Sequence, residues 1–582
     1  MTTSTLQTPS KKAKFDPVMM EVLSNRLLSI TEDMAIHMMK SSFSAQIKER
    51  RDFSVGLFDR GGRLIAQGTH IPLHLASLIG SMEAILRTFE PSSFEEGNAY
   101  ICNDPYLSGG SHLPDISIVS PIFWRGELVG FAANIGHHSD IGGSVPGSTS
   151  AMAKTLFEEG IRIPAVRIAH RGDIDENVLA LVASNSRLPE ERRLDLNVQI
   201  LTNLRGGNAY CQVLDQSGLE SVRSAVDSII HYTSARLQSR IAALAPGAHT
   251  FTTYLDDDGY GGDPLPITAT VERVGAELII DFAGTGPQAR GALNVPNSAV
   301  RATVYYCVKA MLDPELLPNS GMFDGIVIRT PEGTIVNPEF PAAVGARSIT
   351  TQKIAGAVVG ALNGLVLEEQ RIASSNDVLP SILFSGKVAG GGVYVSGETL
   401  GGGGGALFDL DGMSAIHVHC TNTLNMPTEA LENEFPLMID EYSLVEDSGG
   451  AGRQRGGLGI ARQFRALHDH TIMNCRSDSH KRGAAGMEGG HAGGLARLIR
   501  NAGTDHEEEL NSKVAGVILR AGDTVRIQTP GGGGFGDPAE REILAIARDI
   551  QDGVVSKAAA ELDYGADRVA AASSISARAK AA

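Results

Sequence analysis

The chain has 582 residues, 42% apolar and 20% charged, a balance that suits a folded protein with a large core and excludes a disordered or fibrous bulk. Fifty Lys and Arg against 67 Asp and Glu give a net charge of −17, which repels phosphate backbones and excludes nucleic acid and anionic membrane as expected partners. Five cysteines (Cys102, Cys211, Cys307, Cys420, Cys475) contain no CxxC pair, which argues against a disulfide framework or zinc ribbon and points to a reducing, cytoplasmic compartment.

Residues 1–15 lack the apolar stretch of a signal peptide and read as a disordered tail. Asp16-Pro17 is a helix start, and Met20, Leu23, Leu27, Ile30 and Met34 follow at spacings of three and four, predicting a helix to about residue 40. Its methionines (Met19, Met20, Met34, Met38, Met39) suit a helix or subunit contact. Phe53 to Phe58, a turn at Asp59-Arg60-Gly61-Gly62 and Arg63 to Ala66 predict a hairpin, and Leu75 to Phe89 a second helix. From Asp115 the pattern is strand, turn at Arg125-Gly126, strand; Pro121 demands an edge or a bulge. Residues 173–245 read as helical. Past Ala245-Pro246-Gly247, residues 267–284 alternate with period two, and helices are expected at about Val300–Leu312 and over the apolar run Ile354–Leu367. That run holds 14 residues interrupted by Asn363, short of a membrane span.

Beyond Gly390, glycine clusters recur at 401–405, 449–452, 456–459 and 531–534; none matches GxxxxGK[ST], and they read as turns in β-rich structure. The expected organisation is a mixed, multidomain α+β chain. A helix and hairpin metal-binding region (16–245) leads to a mixed region (246–390), a Gly-rich β region (391–537) and an Ala-rich helical tail (538–582) broken at Tyr564-Gly565.

Five of the 16 histidines (His70, His74, His112, His137, His138) fall between residues 70 and 138. A turn at Arg125-Gly126 makes partner numbers total about 251, laying Leu113-Pro114 opposite His137 and bringing His112, Asp115 and His137 to one end of a hairpin. Two imidazoles and a carboxylate suit Zn²⁺ or Mn²⁺ with positions left for water and substrate. The same residues also suit a turn cap, a strand cap and a loop histidine, and spacing alone leaves both readings open. His138 and Asp140 read as groups that support the site, holding the ring of a ligating neighbour, or as surface groups; Asp52 could complete the site or be a solvated charge, and spacing does not place it.

A set of ordered segments then resembles the hydantoinase B/oxoprolinase family: KERRDFSVGLFD (48–59), THIPLHLASL (69–78), NDPYLSGGSHLPDI (103–116), NIGHHSDIGG (134–143), EEGIRIP (158–164), TNTLNMPTEALENEFP (421–436), GGAGRQRGGLG (449–459), TPGGGGFGDP (529–538) and DIQDGVVSKAAAELDYG (549–565). Ser111 stands where the family usually has Thr, and Val55 where it usually has Cys; neither is a proposed ligand. The resemblance implies a divalent metal held by His112, Asp115 and His137 with Asp52 as a fourth group. It also implies a separate hydantoinase A-type subunit carrying ATP and Mg²⁺, in an assembly expected to hold two copies of each chain. The implied reaction is ATP-dependent opening of a cyclic amide (hydantoin, 5-oxoproline or another lactam), or in a neighbouring branch ATP-dependent carboxylation of a ketone. His70 or His74 is the expected proton carrier, with capping of the following helix as their other reading, and His138 completes the candidate catalytic set. A non-catalytic scaffold for the ATP-binding subunit is the competing role.

Overall fold

A computed structural model of the chain describes residues 17–68, 71–388 and 391–581. The expected tail at 1–15, the Asp16 cap and His70 lie outside the described residues.

Helix α1 (Pro17–Ser41) forms on the expected period, with Leu23, Leu27, Ile30, Met34 and Met38 buried along one stripe. The methionines divide: Met34 and Met38 are fully buried, whereas Met19 is 49% exposed beside exposed Val18 and Val22. A short α2 (Ala45–Lys48) leads into a seven-stranded antiparallel sheet. Its strands are β1 (Phe53–Asp59), β2 (Leu64–Gln67), β3 (Ala99–Cys102), β4 (Asp115–Trp124), β5 (Glu127–His137), β6 (Val166–His170) and β7 (Asp173–Ile174), in spatial order β2-β1-β5-β4-β3-β6-β7. One face packs on α1 and on α5 (Pro189–Ser217) and α6 (Leu219–Ala242), which follow α3 (His74–Thr88) and α4 (Glu176–Ser184) in the chain. The other face packs on α3 through Phe58, Val119 and Phe131.

The β4–β5 hairpin turns at Arg125-Gly126 as expected, but its far end is displaced by one residue. Trp124 pairs with Glu127 and Phe123 with Leu128; a bulge between Ile122 and Phe123 then shifts the register, so Asp115, not Leu113-Pro114, faces His137. Pro121 sits next to that bulge and beyond the β3 pairing, which reaches only Ser117 to Val119, so no ladder donor is lost on that side.

A second sheet, in order β11-β10-β9-β8, is built from β8 (Gly247–Leu255), β9 (Leu265–Val274), β10 (Glu277–Asp281) and β11 (Ile326–Arg329). Helices α7 (Asn297–Leu312) and α8 (Arg347–Leu362) share its core. One hydrophobic cluster runs from Phe58 and α3 through β9, β10, α7 and α8, so the core continues across Ala245-Pro246-Gly247. Helix α8 begins seven residues before the apolar run that announced it. Its first turns, including Arg347, Ser348, Thr350, Gln352 and Lys353, are buried although polar, and a rule that searches for apolar runs passes over them. It ends where the Asn363 side chain donates to the Ile372 carbonyl and accepts from its N–H.

The remaining strands make two sheets. One is β13-β12-β16-β19, from β12 (Ser381–Lys387), β13 (Val393–Thr399), β16 (Thr471–Arg476) and β19 (Lys513–Leu519). The other is β14-β15-β20-β17-β18, from β14 (Leu437–Leu444), β15 (Ile460–Ala466), β17 (Arg497–Arg500), β18 (Glu508–Glu509) and β20 (Thr524–Gln528). Ile382, Phe384, Phe464, Met473 and Ile527 fill a core shared by the two.

The glycine clusters at 401–405, 449–459 and 531–534 are not the turns expected of them. They form no strand and hold no residue of positive φ. Instead their backbones lie against one another: Gly457 N–H donates to Gly404 O (2.8 Å), Gly532 N–H to Gly457 O (2.9 Å) and Gly450 N–H to Gly532 O (2.9 Å). A Cβ on Gly532 would stand 2.0 Å from Gly404 O, so glycine is required by close approach. The C-terminal helices α10 (Ile543–Gln551), α11 (Lys557–Tyr564) and α12 (Ala566–Ala581), numbered after α9 (Thr428–Glu434), break at Gly565 as expected, with φ +91°.

Candidate metal centre

The β4–β5 register places Asp115 opposite His137, and the turn before β4 holds His112 three residues away. Ligand-capable atoms of His112, Asp115 and His137 all lie within 4.8 Å of one another. The loop that enters β1 adds Asp52, because the His137 N–H donates to the Asp52 carbonyl (2.9 Å). The first residue of α3 adds His74, whose Nε2 is 3.8 Å from Asp52 Oδ1 and from Asp115 Oδ1.

The donor set fits a divalent cation on a specific observation. His112 Nε2, Asp115 Oδ1 and His137 Nδ1 are buried yet have no hydrogen-bond partner, although His112 Nε2 and Asp115 Oδ1 are only 3.0 Å apart. Buried polar atoms without partners are costly, and a cation shared by the three side chains is what satisfies facing groups such as His112 Nε2 and Asp115 Oδ1. The surroundings orient them. His112 Nδ1 lies 3.2 Å from the Gly345 carbonyl, which can only accept, so the proton sits on Nδ1 and Nε2 is left as a lone pair. Asp115 Oδ2 accepts from Ser111 Oγ and from Arg347 Nη2 (2.6 Å), leaving Oδ1 free.

Charge follows the geometry. Burial, followed by the Arg347 charge, pushes His112 down to about 4. Burial and then the neighbouring His112 hold His137 well below the ordinary value, and burial also lowers His74. The imidazoles are therefore neutral, the state a metal needs. Burial opposes ionisation of Asp115, but His112 and Arg347 outweigh it and hold its carboxyl well below the usual range. Asp52 moves the other way, raised by burial against the opposing pull of His74 and Arg50.

The site opens on a pocket lined also by Arg50, Arg347, Arg476 and Ile71. His138 is not among the lining residues: its Nε2 is 3.0 Å from Gln199 Oε1 on α5. Asp140 accepts from the Gly142 and Gly147 N–H groups and from Arg187, which closes the following loop. The three arginines carried no sequence signal. Arg347 and Arg476 lie more than 200 residues from the hairpin in no recognised motif, and Arg50 stood inside KERRDFSVGLFD as one of a run of charges.

A buried two-histidine, one-carboxylate cluster at a sheet end of a large α+β chain describes a class of candidate metalloprotein. The family model for hydantoinase B/oxoprolinase matches residues 16–538, and the chain belongs to that family. It is 30% identical to the B-type component of a putative D-/L-hydantoinase from a Pseudomonas species, over 95% of each chain. The fold matches the ATP-dependent caprolactamase of Pseudomonas jessenii with TM-score 0.87 at 28% identity, covering 95% of this chain and 96% of that one. It also matches acetone carboxylase with TM-score 0.88 at 19% identity, covering 97% and 83%, a likeness of fold. Against eukaryotic 5-oxoprolinases the chain spans only 40–42% of their length. Among the described residues no helix is long and apolar enough to cross a membrane, and all five cysteines are free.

Proposed function

We propose that this chain is the metal-bearing subunit of an ATP-dependent cyclic-amide hydrolase, opening a lactam or hydantoin ring activated by ATP on a hydantoinase A-type partner. The observation that carries the reading is the convergence of His112, Asp115 and His137 on one pocket, ligand-capable atoms within 4.8 Å of one another, with His112 Nε2 and Asp115 Oδ1 buried and unpartnered there. Two relatives, a caprolactamase and a hydantoinase component, bear the names of cyclic-amide chemistry, and the caprolactamase is ATP-dependent. No GxxxxGK[ST] segment occurs in this chain, which suits a nucleotide held elsewhere.

His112, Asp115 and His137 would hold a divalent cation, which would supply Lewis acidity for attack on the amide carbon. The chain's own groups do the rest. His74, neutral by burial and 3.8 Å from both Asp52 and Asp115, is placed to accept a proton at Nε2 and return it to the leaving ring nitrogen. Ile71, Leu73, Leu379 and Leu383 line the pocket and give a ring substrate an apolar wall. His138, turned towards Gln199, holds α5 against β5 rather than moving protons.

The test is to co-purify this chain with a hydantoinase A-type subunit and assay ring opening across hydantoins, 5-oxoproline and lactams, with and without ATP. Turnover that needs both chains and ATP supports the reading. Ring opening by this chain alone, incorporation of labelled bicarbonate into product, or full turnover after loss of His112 overturns it.

A further inference from the structure

We infer that Arg50, Arg347 and Arg476 form an oxyanion subsite beside the His112, Asp115 and His137 cluster, matched to a dianionic phosphoryl group. The argument is one of unpaired charge. The three arginine residues are 3%, 3% and 5% exposed and line the same pocket. Arg347 has a carboxylate partner, Asp115, at 2.6 Å. Arg50 and Arg476 form no ion pair among the described residues. Arg50 donates to Gln46, to the Gly397 carbonyl (3.0 Å) and to Thr399 Oγ1 (2.7 Å), and Arg476 to the Gly345 carbonyl (2.7 Å), all neutral acceptors. The Nε of each of the three has no partner.

Elsewhere the chain follows the opposite practice. Buried Arg462 pairs with Glu398, and buried Arg541 with Asp411 and Asp549. The Asp52 and Glu398 carboxylates act on Arg50 only from beyond ion-pair distance, and a buried cation that touches only neutral groups is expensive, so two of them kept against one pocket wall point to a negative ligand that arrives from outside. Their proximity shows in Arg476, which burial and then the charges of Arg347 and Arg50 push down to about 9. A cation at the three ligands would deepen the positive field further. Two unpaired guanidinium groups match the charge of a phosphoryl dianion better than that of a carboxylate, and forked N–H donors suit its oxygens. Ser348, whose hydroxyl is buried without a partner, lines the same pocket as a further donor. Only the bearer of that group, the ATP-activated substrate, rests on the proposed function.

The experiment is calorimetric titration of the purified chain, metal-free and zinc-loaded, with inorganic phosphate and separately with acetate. Wild type, Arg50→Gln, Arg476→Gln and Arg476→Lys are compared, with melting curves for all four. The expected results are saturable phosphate binding to wild type, at least tenfold tighter than acetate. A loss of at least tenfold is expected in each Gln variant, with partial recovery in Arg476→Lys. Without anion, Arg476→Gln should melt at or above wild type, because it removes an unpaired buried charge; an arginine that only held the fold together would lower it. Absent phosphate binding, phosphate affinity within twofold of wild type in both Gln variants, or acetate binding as tightly as phosphate overturns the inference. Phosphate binding that depends on the arginines in a complex that opens no cyclic amide would leave the subsite standing and remove the proposed function. Turnover with phosphate-indifferent arginines would do the reverse.

Discussion

Replacing Asp115 by Asn keeps the shape of a fully buried side chain and removes its charge. In the metal-free protein this leaves Arg347, at 2.6 Å from Oδ2, as a buried cation without its carboxylate. Two unit charges about 4 Å apart interact by about 4 kcal/mol at the effective dielectric of protein sites. Breaking one side of a buried pair costs about 3–5 kcal/mol. The expected loss is therefore about 3–5 kcal/mol, read by urea denaturation of the chelated protein on its first resolved transition. Arg347→Gln in the same background should return about 2 kcal/mol or more, since the orphaned charge leaves with it. Adding metal at a hundredfold excess over Kd should stabilise wild type by about 2.7 kcal/mol and the Asn variant hardly at all. A metal-free Asp115→Asn protein within about 1 kcal/mol of wild type, or strictly additive single and double variants, would refute the pairing on which the site's electrostatics rest.

Three further outcomes follow from the same structure. Burial raises Glu159 to about 8, against the two N–H donors of Val344 and Gly345, so the folded state holds a proton that the unfolded chain has lost. Its stabilisation is whole below its unfolded value and lost as pH rises through about 8; the stability difference between wild type and Glu159→Gln should shift by about 3 kcal/mol between about pH 5.5 and 8.5, and a pH-independent difference contradicts it. Gly532→Ala forces a methyl group to 2.0 Å from Gly404 O and should cost at least about 3 kcal/mol or abolish soluble expression, whereas Gly503→Ala, with nothing within 4 Å, should cost about 1 kcal/mol of backbone strain; equal melting points refute the close-packing account. The chain alone should show no tight ATP binding by calorimetry and should co-elute with a hydantoinase A-type subunit at the mass of two copies of each, with exposed Val18, Met19 and Val22 of α1 as part of the contact; separate elution at micromolar concentration contradicts the assembly.

What was legible in the sequence was local. The β4–β5 hairpin needs only its turn and its alternation, and it alone brings His112, Asp115 and His137 to one end. The single-residue bulge beside Pro121 was invisible to that reasoning, and it decides which residue faces His137. Asp52 and His74 reach the site through β1–β5 pairing and the packing of α3, contacts that no spacing rule encodes. Arg347 and Arg476 arrive from α8 and β16, more than 200 residues away, and α8 hides its importance because its site-facing turns are polar. The glycine clusters illustrate the same limit: they read as turns, and only the packing of Gly404, Gly457 and Gly532 shows the close backbone approach that requires glycine there.

The central claim is that His112, Asp115 and His137 hold one divalent cation. Elemental analysis of the purified chain after metal loading and desalting, alongside His112→Ala, Asp115→Ala and His137→Ala proteins confirmed as folded, tests it most directly. The account predicts close to one zinc or manganese per wild-type chain and a loss of most of it in each variant. Equal metal in wild type and His112→Ala would contradict it.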